Sequence, residues 1–451
     1  MKIVVIGCGK IGESIIANVC EEGHDITVID NDPQVINQMV ETYDVMGICG
    51  SGVNVDIQQN ANVGNADLLV AVTVSDEINV LSCLLAHKLG VKDTIARVRN
   101  PNYLTYTQKL KDELGLSMTI NPEFETAKMI AANLTLPNAL KIETFANGKI
   151  ELIELKIEEN SALNGLTLIE FSSKYHLKVL VCAVLRNEDV IIPDGNFILQ
   201  ASDKIFVSAS HNNLIKFCNI AFNKIDKLRS MMIIGGGKIS YYFCQLIANR
   251  KYDIKIVDRE LETCERLSLL LPNVDIIHGD GSNQDILESE GILDTDAFLA
   301  LTGVDEENII ISMYAKKKNV KKIITKVNNH SFHGLLESIG MASIVSPKEI
   351  IANQVISYIR AKANSRGSNV KTLYKLVHQK VEALEFYVNE NCKVANIPLK
   401  ELSLKKNILI AGIIRKNEVI IPDGNTMIYY NDHVIIITAD SYLEDLEEIL
   451  N

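Results

Sequence analysis

From Lys2 the chain runs through a short β-branched stretch, IVVI, to a glycine turn, after which apolar residues recur at Ile11, Ile15, Ile16 and Val19. That is a strand, a tight turn and a helix with one buried stripe. ITVID supplies a second strand, the mixed stretch around Val35 to Val40 a helix, and VMGICG a third strand. LLVAVT and TIARVR give two more strands, separated by a helix from Glu77 to Leu89. Strands that are apolar throughout and alternate with helices indicate a parallel sheet covered on both faces, the doubly wound arrangement. Pro122 then opens a helix with Ala127, Ile130, Ala131 and Leu134 on one stripe, suited to pack on a neighbouring domain, and Pro347 opens a matching one.

The same pattern occurs twice. KIVVIGCGKIGESIIANVCEEGHDITVID returns as MMIIGGGKISYYFCQLIANRKYDIKIVD, so that Gly7 answers Gly235, Asp30 answers Asp258 and Gly50 answers Gly279. Thr73 then pairs with Thr302, Asp76 with Asp305, Asn79 with Asn308 and Arg97 with Lys326. A second, unlike segment also repeats: RNEDVIIPDGN from Arg186 reappears as RKNEVIIPDGN from Arg415. Short β-rich pieces such as VLVCAVLR and KIFVSA, joined by Pro-Asp-Gly turns, make this second unit a small mixed α/β module. Internal duplication is the sequence signature of repeated architecture. The expected fold is therefore α/β, with two tandem Rossmann-like doubly wound parallel-sheet domains at 1–136 and 228–360. Each is followed by a small mixed α/β domain, at 140–222 and 371–451. Asn223 to Arg229 and the stretch AKANSRGSN from Ala361 are the expected linkers.

Length and composition narrow the function. A chain of 451 residues that is 47% hydrophobic can bury several cores. Its net charge of −12 argues against a dedicated nucleic-acid binder, which needs a basic face. No apolar run approaches a membrane span and no charged leader opens the chain, so a soluble intracellular protein is expected. The nine cysteines have no CxxC pair and read as buried reduced thiols.

The chemistry lies in the glycine turn. Gly7-Cys8-Gly9-Lys10-Ile11-Gly12 falls between a strand and a helix, the context that makes GxGxxG a dinucleotide fingerprint. Gly7 permits the turn, Gly9 lets backbone N–H groups approach a pyrophosphate, and Gly12 lets helix and strand pack closely. Asp30, ending the second strand, is placed to accept from ribose hydroxyls and to repel a 2′-phosphate, favouring NAD or another adenosine nucleotide over NADP. Gly50-Ser51-Gly52 and Thr73 close the third and fourth strands. Arg97 and Arg99 lie two apart on the fifth and point to one face, where Arg97 meets either a phosphate or a carboxylate. Thr73 serves equally as a helix cap before Asp76. In the second copy Ser240 replaces the third glycine and crowds the helix–strand contact, Asp280 replaces Ser51, and Lys326 and Asn328 replace the arginines. These changes weaken attraction for a pyrophosphate. No histidine lies in a metal-binding or nucleophile motif.

On KIVVIGCGKIG with Asp30, LLVAVTVSDEIN, IARVRNP and the paired IIPDGN turns, the chain resembles the Trk potassium uptake regulators of the TrkA family. In these, two RCK (KTN) domains are each followed by a C-terminal companion. The resemblance covers nearly the whole chain. It implies a non-enzymatic nucleotide-binding regulatory subunit that gates a potassium-translocating membrane subunit of the TrkH/TrkG type. It also implies a homo-oligomer, a tetrameric ring, that is cytoplasmic and peripheral on the cytosolic face of the membrane. It places NAD(H), or ATP/ADP, on Gly7, Cys8, Gly9, Lys10, Ile11, Asp30, Ser51, Gly52, Thr73 and Arg97. In the second copy the corresponding residues are Gly235, Gly236, Gly237, Lys238, Ile239, Asp258, Gly279, Asp280, Thr302 and Lys326. Two other classes share the glycine loop and the acid: an NAD-dependent oxidoreductase and a redox-sensing, NAD-binding transcriptional regulator. The first needs an acid or base facing a nicotinamide and the second a basic helix-turn-helix, and no segment supplies either.

Overall fold

A computed structural model describes the whole chain except residues 102, 104–108, 137–138, 146–147, 188, 223–227, 342, 364–367, 377–380, 391 and 440–442. The first strand–turn–helix is β1 (Lys2–Ile6) and α1 (Lys10–Glu21), followed by β2 (Asp25–Asp30), α2 (Pro33–Thr42) and β3 (Met46–Cys49). After the short α3 (Val55–Asn60) come β4 (Leu68–Ala71), α4 (Asp76–Leu89), β5 (Asp93–Arg97) and β6 (Met118–Ile120). All pair in parallel in the order β3-β2-β1-β4-β5-β6, a six-stranded sheet with one strand more than its apolar runs announced. Every residue of β4 is fully buried, which is why LLVA has no polar alternation. Helix ends follow local chemistry. Asp32 caps α2 by accepting from Gln34 N–H with Pro33 at the first helical position, and Ser75 caps α4 by accepting from Ile78 N–H.

The helix opened by Pro122 is α5 (Pro122–Asn133). The first small module follows, with β7 (Lys141–Phe145), β8 (Ile150–Lys156), α6 (Leu168–Tyr175), β9 (Leu180–Arg186), β10 (Asp189–Ile191), β11 (Lys204–Ala209) and α7 (His211–Ala221). Its sheet is antiparallel, in the order β10-β9-β11-β8-β7.

The second doubly wound module repeats the first. It comprises β12 (Ser230–Ile234), α8 (Lys238–Ile247), β13 (Asp253–Asp258), α9 (Leu261–Leu270), β14 (Asp275–His278), α10 (Gln284–Ser289), β15 (Ala297–Ala300), α11 (Asp305–Lys317), β16 (Lys322–Lys326), α12 (His333–Ser338) and β17 (Ile344–Val345). The strands pair in parallel as β14-β13-β12-β15-β16-β17. Then α13 (Pro347–Ala363) leads to β18 (Ser368–Leu376), β19 (Val381–Val388), β20 (Ile408–Arg415), β21 (Glu418–Ile420) and β22 (His433–Ala439), antiparallel in the order β18-β19-β22-β20-β21. Part of AKANSRGSN is thus the end of a helix and the start of a strand; the rest of that stretch, like most of the first expected linker, lies outside the described residues.

The two small modules differ in their helices. Thr167 and Glu170 form a reciprocal capping box that starts α6. At the corresponding place in the second copy Pro398 precedes only a 3-10 turn, Leu399–Glu401, with no side-chain cap. Two compact units divide the chain: Met1–Thr126 with Ser346–Ile356, and Ala127–Val345 with Ser357–Asn451, so that both proline-opened helices contribute residues to both units.

Candidate functional site

The carboxyl ends of β1, β2, β4 and β5 stand side by side in the first sheet, and the residues singled out from the sequence gather there. Gly7 has φ +94, and a Cβ on it would come within 2.8 Å of Thr73 N. A Cβ on Gly12 would lie 1.9 Å from the Gly7 carbonyl oxygen, so helix and strand touch through glycine alone. At Gly9, the N-cap of α1, a Cβ would meet nothing within 4 Å, and no side chain caps the helix. The cradle is therefore open where a pyrophosphate needs access to the first-turn amides, at Lys10, Ile11 and Gly12. The Cys8 thiol is buried, burial and then Asp30 pushing its pKa up to about 12, and its backbone N–H is engaged by Asp30.

Asp30 organises this mouth. Its Oδ2 accepts from Cys8 N–H at 2.7 Å and its Oδ1 from Asp32 N–H at 3.0 Å. Asp258 repeats the arrangement, accepting from Gly236 N–H at 2.6 Å and Glu260 N–H at 2.9 Å. Each carboxylate ties the glycine turn to the next loop and has lone pairs left over for a further donor. On the third strand's loop Ser51 is exposed, whereas Gly52 is buried, with its Cβ position 2.4 Å from Ile6. Gly52 thus serves close packing against β1.

Three sequence expectations change here. Thr73 is not the cap of α4; that role falls to Ser75, and the Thr73 hydroxyl lies 2.7 Å from Asn79 Oδ1. Arg99 lies beyond β5, its Nε 3.6 Å from Asp76 Oδ1, while Arg97 ends the strand and meets Glu123 at 3.4 Å. Ser240 does not crowd the second cradle: it is fully buried and its hydroxyl donates to the Gly235 carbonyl, the counterpart of the oxygen that bars a Cβ at Gly12. Among the cysteines, Cys49 is exposed and Cys20 half-buried; the other seven are buried free thiols as expected.

The second mouth keeps the cradle and gains charge. Gly235 has φ +101, and Gly237 is again open. Asp280 is exposed and held below the usual carboxylate range by hydrogen bonds from Ser282, first from its backbone N–H. Gly279 N–H donates to the Asp258 carbonyl, and Thr302 N–H donates to Asn308. Lys326 is half-buried at the end of β16.

Sequence reading missed the residues that hold these mouths open. Asn79 is fully buried; its Oδ1 accepts from Thr73 N–H at 2.7 Å while its Nδ2 donates to the Thr73 and Arg97 carbonyls. Asn308 does the same for Thr302 and Lys326. Asp76 accepts from Arg99 and Asn100 N–H groups, and Asp305 from Asn328 and Asn329. Their exact repetition in both halves was the available signal. No described helix is long and apolar enough to cross a membrane.

Comparison with known proteins agrees with this fold. The TrkA-N domain family matches residues 3–122 and 231–347, and the TrkA-C domain family matches 152–221 and 383–451. A Methanosarcina mazei protein named Trk system potassium uptake protein TrkA homolog 1 is 31% identical over 99% of both chains. The Trk system potassium uptake protein TrkA of Haemophilus influenzae is 30% identical over 98% of this chain and 96% of its own. Among solved structures, the GsuK RCK domain superposes with TM-score 0.64 at 16% identity, covering 97% of this chain and 92% of that one. The GsuK channel bound to NAD follows at TM-score 0.63 and 16% identity, covering 97% and 77%. The likeness to these structures is one of fold, and the match in sequence runs the whole length of the curated relatives; the chain belongs to the TrkA family, with the TrkA-N and TrkA-C pair present twice.

Proposed function

We propose that the chain is the non-catalytic, nucleotide-binding regulatory subunit of a potassium-uptake system. It acts at the cytosolic face of the membrane as a homo-oligomeric ring on a potassium-translocating subunit of the TrkH/TrkG type. The observation that carries this reading is the open glycine cradle with its carboxylate, Gly7 to Gly12 with Asp30, in a chain related along its full length to Trk potassium uptake proteins. The nucleotide, NAD(H) or ATP/ADP, lies with its ribose at Asp30 and its pyrophosphate on the first turn of α1. Ser51, Gly52, Thr73 and Arg97 flank it. A weaker second site uses Gly235 to Ile239, Asp258, Gly279, Asp280 and Thr302. Domain limits at 1–136, 140–222, 228–360 and 371–451 accompany this reading.

Two measurements test it. Purified protein is expected to bind NAD(H) or ATP/ADP by titration calorimetry without turnover, and to retain a potassium-transport subunit from the host's membrane fraction. Steady hydride transfer at the ~10 s⁻¹ typical of enzymes would replace it with the oxidoreductase. Recovery of no transport subunit by an intact oligomer would remove the regulatory role.

A further inference from the structure

Arg97 and Glu123 form a looser ion pair than the bidentate arginine pairs of the small modules. Arg186 grips Asp203 through two hydrogen bonds of 2.7 Å, and Arg415 holds Asp432 through both Nε and a terminal nitrogen. Arg97 reaches Glu123 through a single long contact of 3.4 Å. Arg97 Nε and Glu123 Oε2 are both buried and have no hydrogen-bond partner among the described residues. Only 12% of the Arg97 side chain and 18% of the Glu123 side chain are exposed. Burial lowers the arginine's pKa, and Glu123 offsets part of that. A buried pair that leaves a donor and an acceptor unmade bears a desolvation penalty that one long hydrogen bond does not repay. It is ready to exchange partners.

The strand order says with what. Asp30 ends β2, the glycine turn follows β1, Thr73 follows β4 and Arg97 ends β5, four neighbours in one sheet. A nucleotide with its ribose at Asp30 and its pyrophosphate on α1 sends whatever lies beyond toward Thr73 and Arg97. Adjacent strands are about 4.8 Å apart, within the reach of an arginine side chain. A nucleoside triphosphate puts an anionic phosphate there. A reduced dinucleotide, NADH, puts an uncharged ribose and dihydronicotinamide there.

Resting on the nucleotide reading above, we propose that Glu123 is a specificity-determining residue of the first site. It holds Arg97 when the nucleotide tail is uncharged and competes for it when the tail ends in a phosphate. Glu123 thereby sets the preference between nucleoside triphosphate and dinucleotide. A terminal phosphate takes the free Nε of Arg97 and draws the guanidinium away, leaving Glu123, in the first turn of α5, without its partner. That helix continues from Thr126 into the residues of the second compact unit, so the exchange acts on a segment shared by both. In the second half Lys326 stands in place of Arg97, and Lys348 follows Pro347 where Glu123 follows Pro122.

The test is titration calorimetry of the full chain with ATP and, separately, with NADH, in EDTA. Glu123→Gln removes the competing charge and is expected to tighten ATP at the first site by about tenfold. NADH affinity is expected to stay within about twofold of the parent's, since its dihydronicotinamide tail carries no charge. Glu123→Ala, which leaves no amide to bury, should move the same ratio and serves if the glutamine variant folds poorly. In an Arg97→Gln background the Glu123 substitution should add nothing, because the competition it relieves is gone. Weaker ATP binding, an equal shift for both ligands, or an undiminished effect without Arg97 would overturn the role of Glu123 and leave the nucleotide site standing. A parent protein that binds neither ligand would overturn both.

Discussion

Replacing Gly12 by alanine attacks the tightest contact of the cradle. The new Cβ would lie 1.9 Å from the Gly7 carbonyl oxygen, 3.0 Å from the Gly7 carbonyl carbon and 3.5 Å from Val72 Cγ2. Ordinary contact requires helix and strand to separate by about 1.5 Å, and both belong to the packed core, with Ile15, Ile16 and Val19 of α1 fully buried. Overpacking of this kind costs about 1–3 kcal/mol, and the upper end applies because the obstacle is backbone. The same movement carries the first-turn amides away from a bound phosphate. Losing one hydrogen bond to a charged group weakens nucleotide binding about tenfold or more. Ser240 provides the control, since its hydroxyl donates to the Gly235 carbonyl. Ser240→Gly should cost about 1 kcal/mol through the lost hydrogen bond and the freer unfolded chain, and leave the tighter nucleotide phase intact. Urea denaturation and titration calorimetry read both quantities. A Gly12→Ala protein with unchanged midpoint and unchanged tight-phase affinity would refute the claim that glycine is required for this contact.

Asp30→Ala removes the proposed ribose acceptor as well as the partner of the Cys8 amide, and is expected to weaken the tight phase by about 1–3 kcal/mol, with Asp258→Ala affecting it much less; calorimetry showing the opposite ranking would reverse the order of the sites. Lys322 is buried, donates to the Ala139 carbonyl at 2.6 Å and to Ser343 at 3.0 Å, and burial pushes its pKa down from 10.5 to about 7. The unfolded chain then binds more protons between these values, so this group makes stability rise with pH from about 7 toward 10; Lys322→Met should flatten that rise, and a parental slope surviving in the variant would exclude Lys322 as its source. His211 faces Glu151 at 2.9 Å, which raises its pKa. Its contribution is therefore fully present below the unfolded histidine value of about 6.5 and is lost as pH climbs through the raised value, so His211→Gln should destabilise at pH 6 and cost nothing at pH 9, as followed by thermal melting.

The parallel sheets were legible because their strands are apolar at every position and their turns contain glycine where no other residue fits, as at Gly7 and Gly12. The repeat then doubled each signal. What was missed lies where a residue's role depends on a neighbour distant in sequence. β6 is three residues long and, among the described residues, pairs with β5 alone, too short for a periodic signal. Asn79 reads as a polar residue on a helix, yet it bridges the ends of β4 and β5 through three backbone groups. Arg97 could be narrowed to phosphate or carboxylate, and its carboxylate partner, Glu123, follows a proline on another element, out of reach of any local sequence signal. Ser240 was weighed by its Cβ alone, although its hydroxyl satisfies the carbonyl that the Cβ threatened.

The small modules show why a duplicated chain differs from two separate copies. The sheet of the first module buries one face under α6 and α7, where Phe171, Leu214 and Phe217 meet Ile153, Leu155 and Val207. Its other face presents Phe145, Ile150, Leu152, Ala183 and Phe206, which pack with Val381, Ala383, Ala411, Ile414, Ile435 and Ile437 of the second sheet in one continuous cluster. Gly412 admits the close approach, since a Cβ there would lie 2.6 Å from Ile150 Cδ1. Each sheet is therefore apolar on both sides, and neither could stand alone in water without exposing a large patch. The helix signals differ between the copies, yet the strands of the shared face, β8, β9 and β11 against β19, β20 and β22, are kept in both. Covalent linkage places the two faces at high effective concentration within one chain, so the pairing needs no second molecule. The two nucleotide-binding modules can consequently diverge in charge, as Arg97 and Lys326 or Ser51 and Asp280 have done, while the joint between their companion sheets stays fixed.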